Sequence, residues 1–150
     1  KVLKIDIAGI SRIASEVEKY KADPLIYQGS IPARTGYELY QMMQFIQGQA
    51  GNFDTPFLLI HGDADRLTNP KGSELFFEKA KSTDKTLRIF PGGYHELIND
   101  SDREEAMQVI ADWLRERIWI FTSKGTNVER EDAEDFKCKV QSLRLYPLIF

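Results

Sequence analysis

The sequence has little of what cross-links a chain or anchors it in a membrane. Cys138 is the single cysteine among 150 residues, so no internal disulfide can form, which fits a reducing compartment. No run of about 18 apolar residues occurs, so no segment is expected to span a bilayer. The opening stretch, KVLKIDIAGI, is too short and too charged for a signal peptide. We therefore expect a cytoplasmic protein.

Positive charge is also scarce. Lysine and arginine number 20 against 23 acidic residues, which gives a formal net charge of −3. A chain without a strongly basic stretch has nothing with which to neutralise phosphates, so no nucleic-acid partner is predicted. The hydrophobic fraction of 42% over 150 residues suffices for the core of one domain.

Strands and helices are predicted to alternate in the middle of the chain. FLLIHG at 57–62 is a short apolar run typical of a strand covered on both faces, and KTLRIF at 85–90 alternates like a second strand. A helix is predicted between them at 69–81, with Asn69 as N-cap and proline in its first position, and another at 101–118. Short connections of this kind favour parallel pairing. The sequence therefore predicts an α/β fold.

Two helices are predicted ahead of the first strand. One covers residues 10–20 and is ended by the ADP at 22–24. The other carries a broad apolar stripe of aliphatic, methionine and aromatic side chains, namely Leu39, Met42, Met43 and Ile46, widened by Tyr37, Tyr40 and Phe45. A packing face is the favoured interpretation of this stripe, and a ligand-binding surface is the alternative.

The end of the chain does not continue the pattern. TSKGTNVEREDAEDFKCK is mostly charged and polar, and SLRLYPLIF closes the sequence with apolar residues that no neighbouring element supports. We interpret residues 122–150 as a poorly ordered extension or as sequence foreign to the fold.

Polar residues that follow the two predicted strands are candidates for catalysis. Asp63 and Asp65 come directly after the first strand, and His95 follows the second. Because functional groups gather at the carboxyl ends of parallel strands, both loops are expected to open on one edge of the sheet. A carboxylate there can accept the Nδ1–H of the imidazole and leave Nε2 as a general base. Alternatively, His95 is an ordinary loop histidine and Asp65 caps the following helix, and the spacing alone does not separate these interpretations.

Other roles for this stretch find no support in the sequence. Paired aspartates can hold Mg²⁺, but no further acid cluster or phosphate-binding glycine loop accompanies Asp63 and Asp65. An EF-hand loop that begins at Asp63 would need a glycine where Thr68 stands. We therefore predict no metal site. For His61, which lies inside the strand's end, we predict packing or a structural hydrogen bond.

Residues 54–100 resemble a known family. The stretch DTPFLLIHGDADRLTNPKGSELFFEKAKSTDKTLRIFPGGYHELIND is similar to the C-terminal part of monoglyceride lipase-like and serine aminopeptidase-like α/β-hydrolases. The resemblance is carried by GDADRL after a strand, DKTL at the start of the next strand, and GYH after it. Upstream, YKADPLIYQG is similar to the family's mobile cap segment, and downstream the resemblance extends to about Ile118.

This resemblance implies the C-terminal part of an α/β-hydrolase fold, with parallel strands and flanking helices, preceded by a helical cap segment. Residues 1–52 would be the cap, 53–121 the C-terminal part of the core, and 122–150 the tail. The stretch from Pro24 to Ile46 would form part of a lid over an acyl pocket. Such a lid is expected to hold an acyl chain or to make a peripheral contact with a membrane surface.

The resemblance also implies roles for single residues. Asp65 would be the acid of a catalytic triad, His95 its base, and Asp63 a structural residue of the loop. Leu67, two residues past the acid, would border the acyl pocket or anchor the loop. No metal and no cofactor are implied. The expected partner is a small-molecule lipid ester.

The nucleophile is where the sequence departs from the family. The family carries its serine in G-x-S-x-G, and no such pentapeptide occurs here; the nearest stretch, GISRI around Ser11, lacks the second glycine. The oxyanion loop and the earlier strands are missing as well. We therefore expect the C-terminal portion of a serine hydrolase that cleaves carboxylic esters, above all monoacylglycerols to fatty acid and glycerol, with lysophospholipids as a related substrate. By itself, the chain is expected to be inactive.

The alternative is a product without catalytic function. A truncated or mis-spliced gene product, or a lid-bearing fragment kept for binding, would also lack the serine. Sheet edges and helix faces left uncovered in such a fragment favour self-association.

Overall fold

The computed structural model describes residues 4–117. The predicted extension at 122–150, with Cys138, lies outside the described residues, so its interpretation stays a prediction. The described part divides into two compact units, one that ends at Arg103 and one that begins at Glu104.

The first unit contains a parallel two-stranded sheet. β1 (Phe57–Gly62) pairs with β2 (Lys85–Phe90), and the register places His61 opposite Ile89. Their connection contains α3 (Pro70–Lys79). The side chain of Asn69 accepts a hydrogen bond from the N–H of Lys71, so the predicted N-cap is confirmed. The predicted parallel pairing is confirmed as well.

Aromatic side chains cover part of β1. Phe53, Phe57 and Phe76 contact one another with ring centroids 5.4 to 5.6 Å apart. The residues of β1 are nevertheless half-buried, and only Gly62 at its end is buried. The prediction of a strand covered on both faces is therefore wrong for the described residues, because aromatic packing around α3 covers it only in part.

The first predicted helix begins later than the periodicity indicates. Residues Ile7–Gly9 form a single 3₁₀ turn, and α1 spans Ala14–Ala22, ending before Asp23 as predicted. Ile10 is buried ahead of the helix, and its carbonyl accepts the N–H of Glu96 at 2.9 Å. A helix that began at residue 10 would need that carbonyl for its own first hydrogen bond, so the tertiary contact delays the start.

The second predicted helix is present as α2 (Ala33–Gln49), but its apolar stripe is exposed except at Ile46, which is half-buried. None of its residues is buried, and Leu39, Met42 and Met43 are between 45% and 53% exposed. The interpretation of the stripe as a packing face is therefore wrong within the described part of the chain. The aromatic residues that widen it are exposed too, namely Tyr37, Tyr40 and Phe45.

All of α4 (Arg103–Arg117) except its first residue belongs to the second unit, and the helix matches the one predicted at 101–118. Ala106 and Ala111 are its buried residues. Near its end, the guanidinium of Arg117 lies 4.2 Å from the ring centroid of Trp113 and donates to the carbonyl of that residue. This hydrogen bond satisfies one of the carbonyl groups that the last turn of the helix leaves free.

Candidate active site

The loops that follow β1 and β2 are hydrogen-bonded to each other at the carboxyl edge of the sheet. The N–H of Asp63 donates to Phe90 O at 3.1 Å, and the N–H of Ala64 donates to Gly93 O at 3.1 Å. In return, the carboxylate of Asp63 accepts the N–H of Gly92 at 2.6 Å. Gly92 has φ of 71°, a conformation that favours glycine, and this lets the second loop turn sharply. The loop that carries Asp65 and the loop that carries His95 are thus held together by hydrogen bonds.

This arrangement brings Asp65 and His95 into contact. Asp65 Oδ2 lies 2.9 Å from His95 Nδ1, and the two side chains are 2% and 14% exposed. A neutral imidazole that donates its Nδ1–H to a carboxylate keeps Nε2 deprotonated, and Nε2 can then accept a proton from a nucleophile. Among the described residues, none is hydrogen-bonded to Nε2. The pair has the geometry of a triad acid and base, and the catalytic roles themselves stay predictions.

The carboxylate of Asp65 is saturated with donors. Oδ1 accepts the N–H groups of Leu67 and Thr68 at 2.7 and 3.0 Å. Oδ2 accepts the hydroxyl of Thr68 at 2.7 Å and lies 3.1 Å from Nε2 of His61, in addition to its bond with His95. Burial alone would raise the pKa of Asp65, but the bonds from His95, Thr68 and Leu67 outweigh it and lower the pKa to about 2.

Asp65 is therefore expected to make the stability of the fold acid-sensitive. Its pKa is depressed from 3.8 to about 2, so its contribution is present above about pH 4 and is lost as the pH falls through 2. The shift corresponds to about 2 kcal/mol of free energy of unfolding. Urea unfolding between about pH 5 and pH 2 should show this loss, and Asp65→Asn should remove it. An equal acid dependence in the variant and the wild type would contradict the prediction.

Three side chains around Asp65 were not predicted as site residues. Thr68 was considered only as a position of an EF-hand loop, no role was predicted for Ser73, and for His61 only packing or a structural hydrogen bond was predicted. Thr68 lies three residues after Asp65. At that spacing in a turn, a hydroxyl can hydrogen-bond to the carboxylate, so the sequence could have indicated this contact. Ser73 contacts His61 at 2.7 Å only because α3 crosses beside β1, and no local signal indicates that contact.

Leu67 lies against the N-terminal segment. A Cβ placed on Gly9 would come within 2.8 Å of Leu67 Cδ1, so this side chain packs directly on the backbone there. Its N–H also holds Asp65. These contacts fit the loop-anchoring alternative, and the predicted contact with an acyl chain stays a prediction.

A buried carboxylate outside the pair ties the N-terminal segment to the histidine loop. Asp100 is 1% exposed and accepts the N–H of Arg12 at 2.7 Å, its Nε at 2.9 Å, and the N–H of Tyr94 at 2.9 Å. Burial acts to raise the pKa of Asp100, but the bonds from Tyr94 and Arg12 outweigh it and lower that pKa. The residue before His95 is thus fixed by a charged contact across the unit.

Backbone bonds complete this attachment. The N–H of His95 donates to Gly9 O at 3.4 Å, and the N–H of Glu96 donates to Ile10 O at 2.9 Å. The position of the imidazole therefore depends on a segment more than 80 residues earlier in the chain, as well as on its own loop.

Residues 4–117 contain no group of three histidine, cysteine or acidic side chains that could hold a metal ion. In the same range, no helix is long and apolar enough to cross a membrane. Ser11, at the centre of the nearest match to a nucleophile motif, is buried, and its hydroxyl donates to Asn99 O at 2.7 Å.

Comparison with known proteins gives consistent results. The family profile described as serine aminopeptidase, S33, matches residues 1–102. Monoacylglycerol lipase of Mycolicibacterium smegmatis is 33% identical over 113 residues, which are 75% of this chain and 40% of that protein. Caffeoylshikimate esterase of Arabidopsis thaliana is 36% identical over 121 residues, which are 77% of this chain and 36% of that protein.

The fold is also similar to solved structures. The crystal structure of Paleococcus ferrophilus monoacylglycerol lipase superimposes with a TM-score of 0.70 and 34% identity, over 76% of this chain and 45% of that one. The predicted α/β-hydrolase architecture is confirmed by this likeness. The chain spans about two-fifths of the length of the relatives that it matches.

Proposed function

The chain belongs to the serine aminopeptidase (S33) family of monoglyceride lipase-like α/β-hydrolases, and from this premise we propose that it supplies the acid and the base of a serine hydrolase that cleaves carboxylic esters. The observation that carries the proposal is the 2.9 Å contact between Asp65 Oδ2 and His95 Nδ1 at the carboxyl edge of a parallel sheet. Parallel strands of α/β folds present their functional groups at that edge.

In the proposed reaction, a serine of the complete enzyme attacks the ester carbonyl while His95 Nε2 takes the hydroxyl proton. Asp65 stabilises the imidazolium through Nδ1–H and stays ionised, as its lowered pKa favours. Collapse of the tetrahedral intermediate breaks the ester C–O bond, and His95 returns the proton to the leaving alcohol. Water then attacks the acyl-enzyme with His95 as base, which releases the carboxylic acid and frees the serine.

The proposed substrate is a monoacylglycerol, cleaved to fatty acid and glycerol. The names of two relatives, both monoacylglycerol lipases, support a lipid ester. The apolar side chains that α2 exposes suit contact with an acyl chain. A relative named for a phenolic ester shows that the family is not restricted to lipids, so acyl preference is the property to measure.

The test uses two forms of the protein. The 150-residue chain should not hydrolyse short- or long-chain esters, because it contains no G-x-S-x-G nucleophile. A complete gene product with that motif upstream in frame should hydrolyse monoacylglycerols, with a preference for long acyl chains. Turnover by the 150-residue chain that His95→Ala abolishes would contradict the first expectation, and preference for short polar esters would contradict the second.

A catalytically inactive product is the second candidate, and the missing pentapeptide is the observation that favours it. The genomic sequence upstream separates the two candidates, because an in-frame G-x-S-x-G supports the hydrolase. Its absence would support the fragment.

Peripheral contact with a membrane is proposed for α2. Its exposed side chains include Tyr40 and Met43, and its two charged residues, Arg34 and Glu38, pair with each other at 3.4 Å. We expect the chain to sediment with neutral phosphatidylcholine vesicles and the Met43→Glu variant to bind several-fold less. Gln44→Glu adds the same charge to the same helix without removing an apolar contact, so equal losses in both variants would contradict the proposal. Sedimentation without vesicles measures the proposed self-association.

A further inference from the structure

The ring of His61 is held at both nitrogens. It is the penultimate residue of β1, its side chain is 14% exposed, and Nε2 lies 3.1 Å from Asp65 Oδ2. Nδ1 lies 2.7 Å from the hydroxyl oxygen of Ser73, in the first half of α3. The imidazole of His61 thus connects β1 with α3 and with the loop that carries Asp65. It contacts the same carboxylate oxygen, Oδ2, as His95 does.

The donors and acceptors assign the proton of this ring. An ionised carboxylate only accepts hydrogen bonds, so His61 Nε2 must carry a proton to bond with Asp65. In the neutral ring Nδ1 is then the acceptor, and the hydroxyl of Ser73 is the group that can donate to it. The carboxylate of Asp65, which only accepts, therefore requires the Nε2–H tautomer of His61, and the hydroxyl of Ser73 complements that tautomer by donating to Nδ1.

We propose that Ser73 and His61 are a positioning pair for Asp65, which hold its Oδ2 in place beside His95 Nδ1. The proposal rests on the proposed function, because it takes Asp65 as the acid of the triad. His61 Nε2 and the hydroxyl of Thr68 both contact Oδ2 of Asp65, and the N–H of Leu67 donates to Oδ1. Rotation of the carboxylate would break all of these bonds at once, so the oxygen that His95 needs stays oriented.

Ser73, His61 and Asp65 also have the residue types of a nucleophile, base and acid. That role would require free N–H donors near Ser73 to stabilise an oxyanion. The N–H of Lys71 donates to Asn69 Oδ1 and that of Gly72 donates to Asn69 O, while Pro70 has no N–H. The three residues before Ser73 in α3 and its N-terminal turn therefore offer no such donors, and positioning is the role that the contacts support.

The chain has two histidines, and both contact Asp65, which makes the proposal directly measurable. In a long-range ¹⁵N–¹H spectrum of the labelled 150-residue chain, we expect His61 as the Nε2–H tautomer and His95 as the Nδ1–H tautomer. His61→Gln assigns the two rings, because only His95 then remains. Ser73→Ala should leave His61 as the Nε2–H tautomer, shift its Nδ1 resonance because the donor is lost, and broaden the Nδ1–H resonance of His95.

Two controls separate positioning from folding. Ser73→Thr keeps the hydroxyl and should retain both tautomers, whereas Ser15→Ala, at an exposed position of α1, should change neither ring. A His61 ring that is protonated at Nδ1, or a His95 Nδ1–H resonance that is unchanged in Ser73→Ala, would overturn the proposal. The spectrum needs no turnover, so a complete gene product without ester hydrolysis would refute the proposed function and leave this result standing. Conversely, the wrong tautomer of His61 would leave the Asp65–His95 pair intact.

Discussion

Replacing His95 by alanine, or Asp65 by asparagine, in the complete gene product is expected to lower kcat for ester hydrolysis by about 10³- to 10⁴-fold. Loss of the imidazole removes the proton acceptor for the serine. Asparagine has almost the same shape as aspartate, but its amide carries no charge to stabilise the imidazolium. An NH₂ group turned towards Nδ1 would also favour the tautomer with its proton on Nε2, where the base is needed.

The measurement compares steady-state kinetics of the variants with the wild type, and circular dichroism checks that each variant is folded. Asp54→Asn is the matched control, since it removes an exposed carboxylate just before β1. We expect it to leave kcat within about two-fold, as is usual for surface substitutions. Retention of more than a tenth of wild-type kcat in folded Asp65→Asn would exclude Asp65 as the acid.

Replacing Gly62 by alanine is expected to destabilise the fold by about 3 kcal/mol. A Cβ on Gly62 would lie 2.1 Å from Gly93 O and 2.3 Å from Gly93 C, both of which are backbone atoms. No side-chain rotation can relieve this overlap, so the loops after β1 and β2 must separate. Their separation would break the bond between the N–H of Ala64 and Gly93 O, and it would draw Asp65 away from His95.

Urea unfolding followed by far-UV circular dichroism measures this loss. Gly48→Ala provides the control, because a Cβ there, in α2, meets no atom within 4 Å. Alanine favours a helix over glycine, so this variant should be more stable by about 0.5 to 1 kcal/mol. Equal midpoints for Gly62→Ala and the wild type would show that the two loops do not approach each other as closely as described.

Much of the local structure follows from the sequence because its causes are local. Asn69 before proline predicts where α3 begins, a short apolar run predicts β1, and alternation of polar and apolar residues predicts β2, since capping and side-chain alternation act over a few neighbouring residues. The succession of strand, helix and strand predicts parallel pairing because short connections leave few other topologies. Asp65 and His95 were candidates for the same reason, as each lies just after a strand.

The tertiary structure alone decided what these residues contact. The bond between Asp65 and His95 joins residues 30 apart, and the bonds of Asp100 to Arg12 join residues 88 apart. Such separations in sequence carry no periodicity. The strand register and the close approach at Gly62 bring Asp65 to His95, and the backbone bonds of Gly9 and Ile10 to the histidine loop bring Arg12 to Asp100. For the same reason the sequence suggested a helix from residue 10, where a carbonyl is in fact bonded to Glu96, and a packing face on α2, which lies exposed. Hydrophobic pattern states which side chains can be buried, but burial requires a partner surface, and only the folded chain determines whether one is there.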